Sequence, residues 1–425
     1  MTVDLAALGS ALDERLRDAD AELAARFPGE RPVRQPVHTV YVPADRYDAE
    51  LVGRWQKEAA AALDEHGGGA EGVAQAFGLP DDLATDLLER VRAKLDREAI
   101  EDLRIDFEDG YGARSDDEED AAVDAAAAAL LHAVDTGNAT AFNGIRFKSF
   151  EAPTRRRGLR TFARFVEAVT REGALPDGFV VTFPKVTSVD QVEAMVVACE
   201  QVEQGVGLAP GAIRFEIQVE TPQAIGGPDG TALVARMVHA SAGRCTSLHY
   251  GTYDYSASCG IAAAYQSMEH PAADHAKAVM QVAAAGTGVH LSDGSTNVLP
   301  VGPTAQVHDA WRLHHGLTRR ALARAYYQGW DMHPGHLPTR YAAVYAFYRE
   351  GLGQAAARLA AYVAKAGGDV MDEPATAKAL SGYLLRGIDC GALDAAEVAG
   401  LTGLSRADLD GFASPRRGGL TVTAP

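Results

Sequence analysis

Basic charge, paired cysteines and long apolar runs are all scarce in this chain, and each scarcity removes a class of function. Lys and Arg number 40 against 58 Asp and Glu, for a formal net charge of −18. A phosphate backbone demands concentrated positive charge, so nucleic acid is excluded as the main partner. The one basic cluster, Arg155, Arg156, Arg157 and Arg160, is too small to reverse that balance. The four cysteines, Cys199, Cys245, Cys259 and Cys390, lie far apart with no CxxC pair. They read as packing thiols in a reducing compartment, not as a disulfide framework or a zinc site. No apolar run approaches the roughly 18 residues of a membrane span, and the opening MTVDLAALGSALDERL lacks the basic start of a signal peptide. A cytoplasmic protein that neither enters nor crosses a membrane is expected. A glycine-rich dinucleotide turn is missing too: PADRY follows the first strand-like run, and GVGLAPG at 205–211 leaves a helical stretch to enter a strand. HGGG at 66–69 has no GxSxG elbow to accompany it, so a hydrolase oxyanion turn is set aside.

What the chain does have is core-forming residues, 47% hydrophobic over 425 positions, arranged in a β-then-α rhythm. HTVYV (38–42), LRIDF (103–107), NGIRF (143–147), GFVVTF (178–183) and IRFEIQV (213–219) read as strands, each followed by a helical pattern. TSLHY (246–250), then GVHL (288–291) or NVLPV (297–301), then GWDM (329–332) bring the count to eight. Eight βα units in series predict a TIM-type (β/α)8 barrel over residues 1–340. A helical insertion after the first strand is expected at 67–97, and a C-terminal helical extension over 341–425, ending in the disordered tail SPRRGGLTVTAP.

In a parallel barrel the side chains just after each strand converge on one mouth, so the ionisable residues there form a set. They are Asp45 and Arg46; Asp106, Glu108 and Asp109; Arg146 and Lys148; Lys185; Glu220; Asp254; Asp293; and His333. Asp45 and Asp293 also suit simple turns. Acidic residues crowded together repel unless a cation or a proton lies between them. Glu220 and Asp254 therefore suit a hard cation, Mg²⁺ or Mn²⁺, and with no His or Cys adjacent to either, zinc is disfavoured. Arg146 can hold a substrate carboxylate bidentately, or else form a salt bridge to Asp106 or Glu108. Pro334 breaks any helical His face in HPGH (333–336), which leaves His333 and His336 to hydrogen bonding at the mouth. His314 and His315 fall on the preceding helix and carry no assigned chemistry.

At these residues the chain resembles the superfamily of citrate lyase β-subunits, malyl-CoA lyases and HpcH/HpaI-type aldolases, with features similar to malate synthase. VHTVYVPADR resembles its opening strand and loop, RIDFEDGYG its acidic turn, GIRFK the strand presenting a substrate-binding arginine, and FPKV its fourth strand. IQVETPQAI resembles the segment carrying one magnesium ligand, here Glu220, and LHYGTYDYS the segment carrying the second, here Asp254. MHPGH resembles the last-strand signature, and VMDEPATAKAL resembles the malate synthase segment that holds the catalytic base, aligned here with Glu373 and its neighbour Asp372. The acidic pair is reversed relative to the family's order, and a helix N-terminus would by itself favour acidic residues.

The resemblance implies a Mg²⁺-dependent carbon–carbon lyase acting on a small hydroxy or 2-oxo acid, or its CoA thioester, through a metal-stabilised enolate. Arg146, Lys185, Arg46 and His333 would bind substrate, while Asp106, Glu108, Glu373 and Asp372 would join Arg146 in the catalytic set. The alternatives are a malate synthase-like Claisen condensation of acetyl-CoA with a 2-oxo acid, and a metal-binding barrel without catalysis. Association into a homo-oligomer is also implied.

Overall fold

The computed structural model describes residues 3–79, 81–364 and 373–413. Eight parallel strands follow one another around a barrel: β1 His38–Pro43, β2 Asp102–Asp106, β3 Phe142–Arg146, β4 Phe179–Phe183, β5 Phe215–Val219, β6 Cys245–Tyr250, β7 His290–Ser292 and β8 Gly329–Asp331. β1 pairs with both β2 and β8, and the ladder runs on to β7. Closure between β7 and β8 rests on two backbone bonds, Asp293 N–H to the Gln328 carbonyl (2.8 Å) and Trp330 N–H to the Gly294 carbonyl (3.1 Å). Of the two segments suited to the seventh strand, GVHL at 288–291 leads into it, the strand itself being His290–Ser292; 297–301 is irregular.

Aliphatic residues, mostly β-branched, at alternate positions face the helices, as Val40 and Val42, Leu103 and Ile105, Ile217 and Val219 do, and all are buried. The opposite face of each strand lines the barrel, and there the chain is unusually polar. Arg104 of β2 reaches across to Glu216 of β5 (2.8 Å), also pairs with Asp102, and lies beside Thr182 of β4. Tyr41 and Thr182 both donate to Glu216, the latter at 2.5 Å. This charged layer plugs the barrel centre, where branched apolar side chains are usual.

Helices Leu51–His66, Gly69–Phe77 and Asp81–Glu98 separate β1 from β2. The helix Asp116–Asp135 starts on a full capping box, Ser115 with Glu118, and its Asp120 takes up Arg157 and Arg160, two of the four arginines of the basic cluster. After β8 a helix runs unbroken from Leu337 to Val363, and the helices Pro374–Asp389, Ala395–Thr402 and Arg406–Ala413 follow. Tyr345 of the long helix donates to the Cys390 carbonyl, and Tyr341 to Ala99 just before β2. The C-terminal helices are thereby held at the N-terminal end of the barrel. The tail at 414–425 lies outside the described residues. All four cysteines are free, and three are buried; Cys259 is exposed at the end of a short helix and does not pack in the core. Among the described residues no helix is long and apolar enough to cross a membrane.

Candidate active site

Strand pairing sets the floor of the mouth. Asp106 at the end of β2 is in register with Arg146 at the end of β3, and Arg146 with Thr182. The Arg146 guanidinium grips Asp106 with two bonds of 2.7 Å, and both side chains are almost wholly buried. Asp106 is further fixed by the backbone N–H groups of Glu108 (3.0 Å) and Gly110 (2.9 Å), so the acidic turn wraps around it. Burial works against the Arg146 charge, yet Asp106 holds its pKa well above the ordinary arginine value. Tyr41 lies beneath, its ring 5.0 Å from the guanidinium carbon. The salt bridge to Asp106 is thus present, and it occupies one edge of the fork. The other edge faces Gln218 (3.4 Å) and Glu108 (3.5 Å).

Gln218 was not foreseen. It connects the two halves of the mouth, accepting from Arg146 through its carbonyl and donating through its amide to Glu220. The signal was the strand period: residues 216, 218 and 220 share one face of β5 and its continuation, so a polar residue two positions before Glu220 points into the same space.

Glu220 is 1% exposed. One oxygen accepts the backbone N–H of Lys185 (2.8 Å), a residue held at φ +51°, in the left-handed region that few non-glycine residues adopt. Gly251 packs directly over the carboxylate: a Cβ there would come within 2.6 Å of Oε2. Asp254, three residues on, is half exposed and faces Glu220 from the first turn of Thr252–Ser258. Burial, and then the charges of Asp254 and Glu108, push the Glu220 carboxyl up to about 8. Burial also raises Asp254.

The Lys185 ammonium sits in this acidic ring, bound to Glu108 and to Asp109 (2.6 Å), and 3.9 Å from Asp254. Burial opposes its charge, but Glu108 and Glu220 outweigh that and raise its pKa. A cationic nitrogen amid carboxylates shows that the ring attracts positive charge. Among the described residues no group of three or more His, Cys, Asp and Glu side chains is arranged to hold a metal ion. Glu220 and Asp254 offer two oxygen ligands, and a hard cation commonly takes one or two carboxylates and fills its remaining positions with water or substrate oxygen.

The remaining candidates divide. Arg46 is exposed on the rim after β1 and pairs with no carboxylate among the described residues. His333 is half-buried and accepts the Gly335 N–H, while His336 is buried against His314. Lys148 is bound to Glu119 and the Phe107 carbonyl, and Asp293 to the buried Lys277. Asp45 lies on the surface near Arg114. Glu373 is not brought to the mouth of its own barrel. It is exposed at the start of Pro374–Asp389, whose first turns, with Ala375 and Lys378, line a cavity together with Arg31 and His290 at the opposite end. Asp372 lies outside the described residues.

A family model described as a domain of unknown function (DUF6986) matches residues 16–417. The chain belongs to that family. No curated protein matches it. Among solved structures it is similar to a citrate lyase from Burkholderia xenovorans LB400, at 18% identity over 88% of this chain and 98% of that one, with a TM-score of 0.58. It is similar also to the protein CitE from Mycobacterium tuberculosis, in complex with magnesium, acetoacetate and coenzyme A, at 18% identity over 83% and 98% of the chains and a TM-score of 0.50. A Haloferax volcanii malate synthase, in a magnesium and glyoxylate complex, is 13% identical over 91% and 99%, with a TM-score of 0.48. These are the protein groups that the sequence motifs resemble, and the likeness to the citrate lyase and to CitE establishes the barrel fold.

Proposed function

We propose that this protein is a Mg²⁺- or Mn²⁺-dependent carbon–carbon lyase acting on a small hydroxy or 2-oxo acid, or on its CoA thioester. The observation that carries the reading is the pairing of Glu220 with Asp254 at the barrel mouth, two carboxylates whose placement needs Gly251 and the turned backbone of Lys185. Only oxygen ligands are offered, which suits a hard cation. A bound cation would supply Lewis-acid stabilisation of negative charge on an oxygen beside the bond that breaks. The chain supplies the rest. Arg146, aimed by Asp106 and stacked on Tyr41, turns its second edge, the one beside Gln218 and Glu108, to the substrate carboxylate. Gln218 holds that arginine and Glu220 at a fixed separation, and Arg46 offers a second positive group at the rim. The M. tuberculosis CitE complex, on the same fold, supports the class of ligand.

Thermal unfolding measured with Mg²⁺ or Mn²⁺, alone and with pyruvate, oxaloacetate, glyoxylate or acetyl-CoA, tests the reading on wild type and Asp254→Ala. A metal-dependent rise, enlarged by one acid and lost in the variant, is expected. No rise with either metal would sink the ligand pair, while metal binding without turnover of any such acid would leave a binding protein.

A further inference from the structure

We propose that the N-terminal end of the barrel holds a second ligand site, in which Arg31 and Arg214 bind the carboxylate or phosphate of an organic anion with an apolar body. A cavity of about 540 Å³ opens there, bounded by the starts of the strands, among them Asp102, Phe142, Thr246, His290 and Gln328. That volume suits a small metabolite. It lies at the far end of the barrel from Glu220, with the Arg104–Glu216 layer between them.

Among the described residues no carboxylate is paired with Arg31 or Arg214 of this cavity. Arg214, immediately before β5, has no side-chain partner among the described residues, and its Nε is buried without an acceptor. Arg31 donates to the carbonyls of Gly288 (2.6 Å) and Thr246 (2.9 Å), which aim it but bring no negative charge. Burial, and then repulsion from Arg214, lower the Arg31 pKa, and they outweigh the opposing pull of Cys245 and of the exposed Glu30 next to it in sequence. The nearby acids are already engaged: Asp102 and Glu216 with Arg104, and Glu98 and Glu101 with Arg34. Asp177 is exposed at the edge. Buried charge is ordinarily paired, and an Arg fork left open is shaped for a carboxylate or a phosphate. The remaining wall, with Phe142, Leu175, Pro176, Phe179 and Leu208, is apolar and selects an anion carrying a hydrophobic body.

The test titrates inorganic phosphate and octanoate separately into the full-length protein by calorimetry, in the presence of a chelator. Wild type, Arg214→Gln and Glu220→Gln are compared. Arg214 holds no other group in place, so its replacement leaves the fold intact. Saturable binding of at least one probe is expected, weakened tenfold or more in Arg214→Gln and unchanged in Glu220→Gln. Phosphate as the tighter probe would assign the site to phosphorylated ligands, and octanoate to carboxylic acids. The proposal is overturned if neither probe saturates, if Arg214→Gln binds like wild type, or if Glu220→Gln abolishes binding.

Discussion

Replacing Gly251 with alanine tests whether the position of Glu220, apart from its charge, makes the proposed cation site. Gly251 has an ordinary φ of −97°, so alanine meets no backbone strain. The added methyl, however, would lie 2.5 Å from Glu220 Cβ and 2.6 Å from its Oε2. Ordinary contact is about 3.5–4.0 Å, so Glu220 must move by roughly 1 Å. It has nowhere to go, being 1% exposed and tied to the Lys185 N–H and the Gln218 amide. Overpacking of this kind costs about 1–3 kcal/mol. An unfolding entropy of roughly 2.1 cal/mol/K per residue over 425 residues gives about 0.9 kcal/mol/K, so Tm falls by only about 1–3 °C. The larger effect is expected on chemistry, where a 1 Å displacement of a positioned group costs on the order of 100-fold in turnover. Gly226→Ala is the control, since nothing lies within 4 Å of its added Cβ and its φ is −132°. The assay is thermal unfolding with and without Mg²⁺, followed by turnover on the best acid found. Gly251→Ala protein that keeps the wild-type Mg²⁺ shift and turnover would refute the reasoning, because Glu220 would then not need its observed place.

Two further outcomes are expected. Asp331 is buried and bound by Arg340 (2.8 Å), His38 (2.7 Å) and His314 (3.0 Å); although burial favours its neutral form, Arg340 and the two histidines hold its pKa well below the ordinary value. Its stabilising contribution is therefore present above the unfolded value near 3.9 and lost only as pH falls through the lower folded value. Asp331→Asn should cost about 3–5 kcal/mol in urea unfolding from pH 5 to 8, with the gap from wild type closing below about pH 4; a gap that instead widened in acid would reverse the assigned sign. Glu373 stands at the wrong end to serve its own barrel, so a proton-transfer role requires a neighbouring copy. Glu220→Gln and Glu373→Gln proteins, each inactive alone, should regain turnover on mixing, and full activity of Glu373→Gln alone would remove that residue from the chemistry.

The barrel was legible because its strands are short, β-branched and separated by long amphipathic helices, and because the motif residues fall at strand ends where a parallel barrel must gather them. The seventh and eighth strands were harder to place. β7 and β8 span three residues each, His290–Ser292 and Gly329–Asp331, and their junction is closed by only two backbone bonds, so little β-propensity was needed to specify them. The exposure of Cys259 was equally invisible, since it depends on where a short helix ends. The end of the barrel against which the C-terminal helices lie is decided by Tyr341 and Tyr345, whose contacts are with Ala99 and Cys390, far away in sequence.

The polar barrel interior, by contrast, was written in the sequence as a period of two. DLRID places Asp102, Arg104 and Asp106 on one face of β2, and residues 216, 218 and 220 likewise share one face of β5 and its continuation. In a strand buried on both sides, charge at alternate positions is tolerated only if the inward face meets its complement. Here Arg104 meets Glu216, and one layer higher Arg146 meets Asp106 while Gln218 links that pair to Glu220. Buried ion pairs of this sort add little net stability over apolar packing, since desolvation offsets the attraction. What they supply is position: removing one partner leaves a buried charge unmatched, so each member has a single favourable place. That argument applies to Arg146 with most force. Its grip on Asp106 does not compete with a substrate role but sets the direction of the edge that remains, and Asp106→Asn should therefore disturb substrate binding as well as stability.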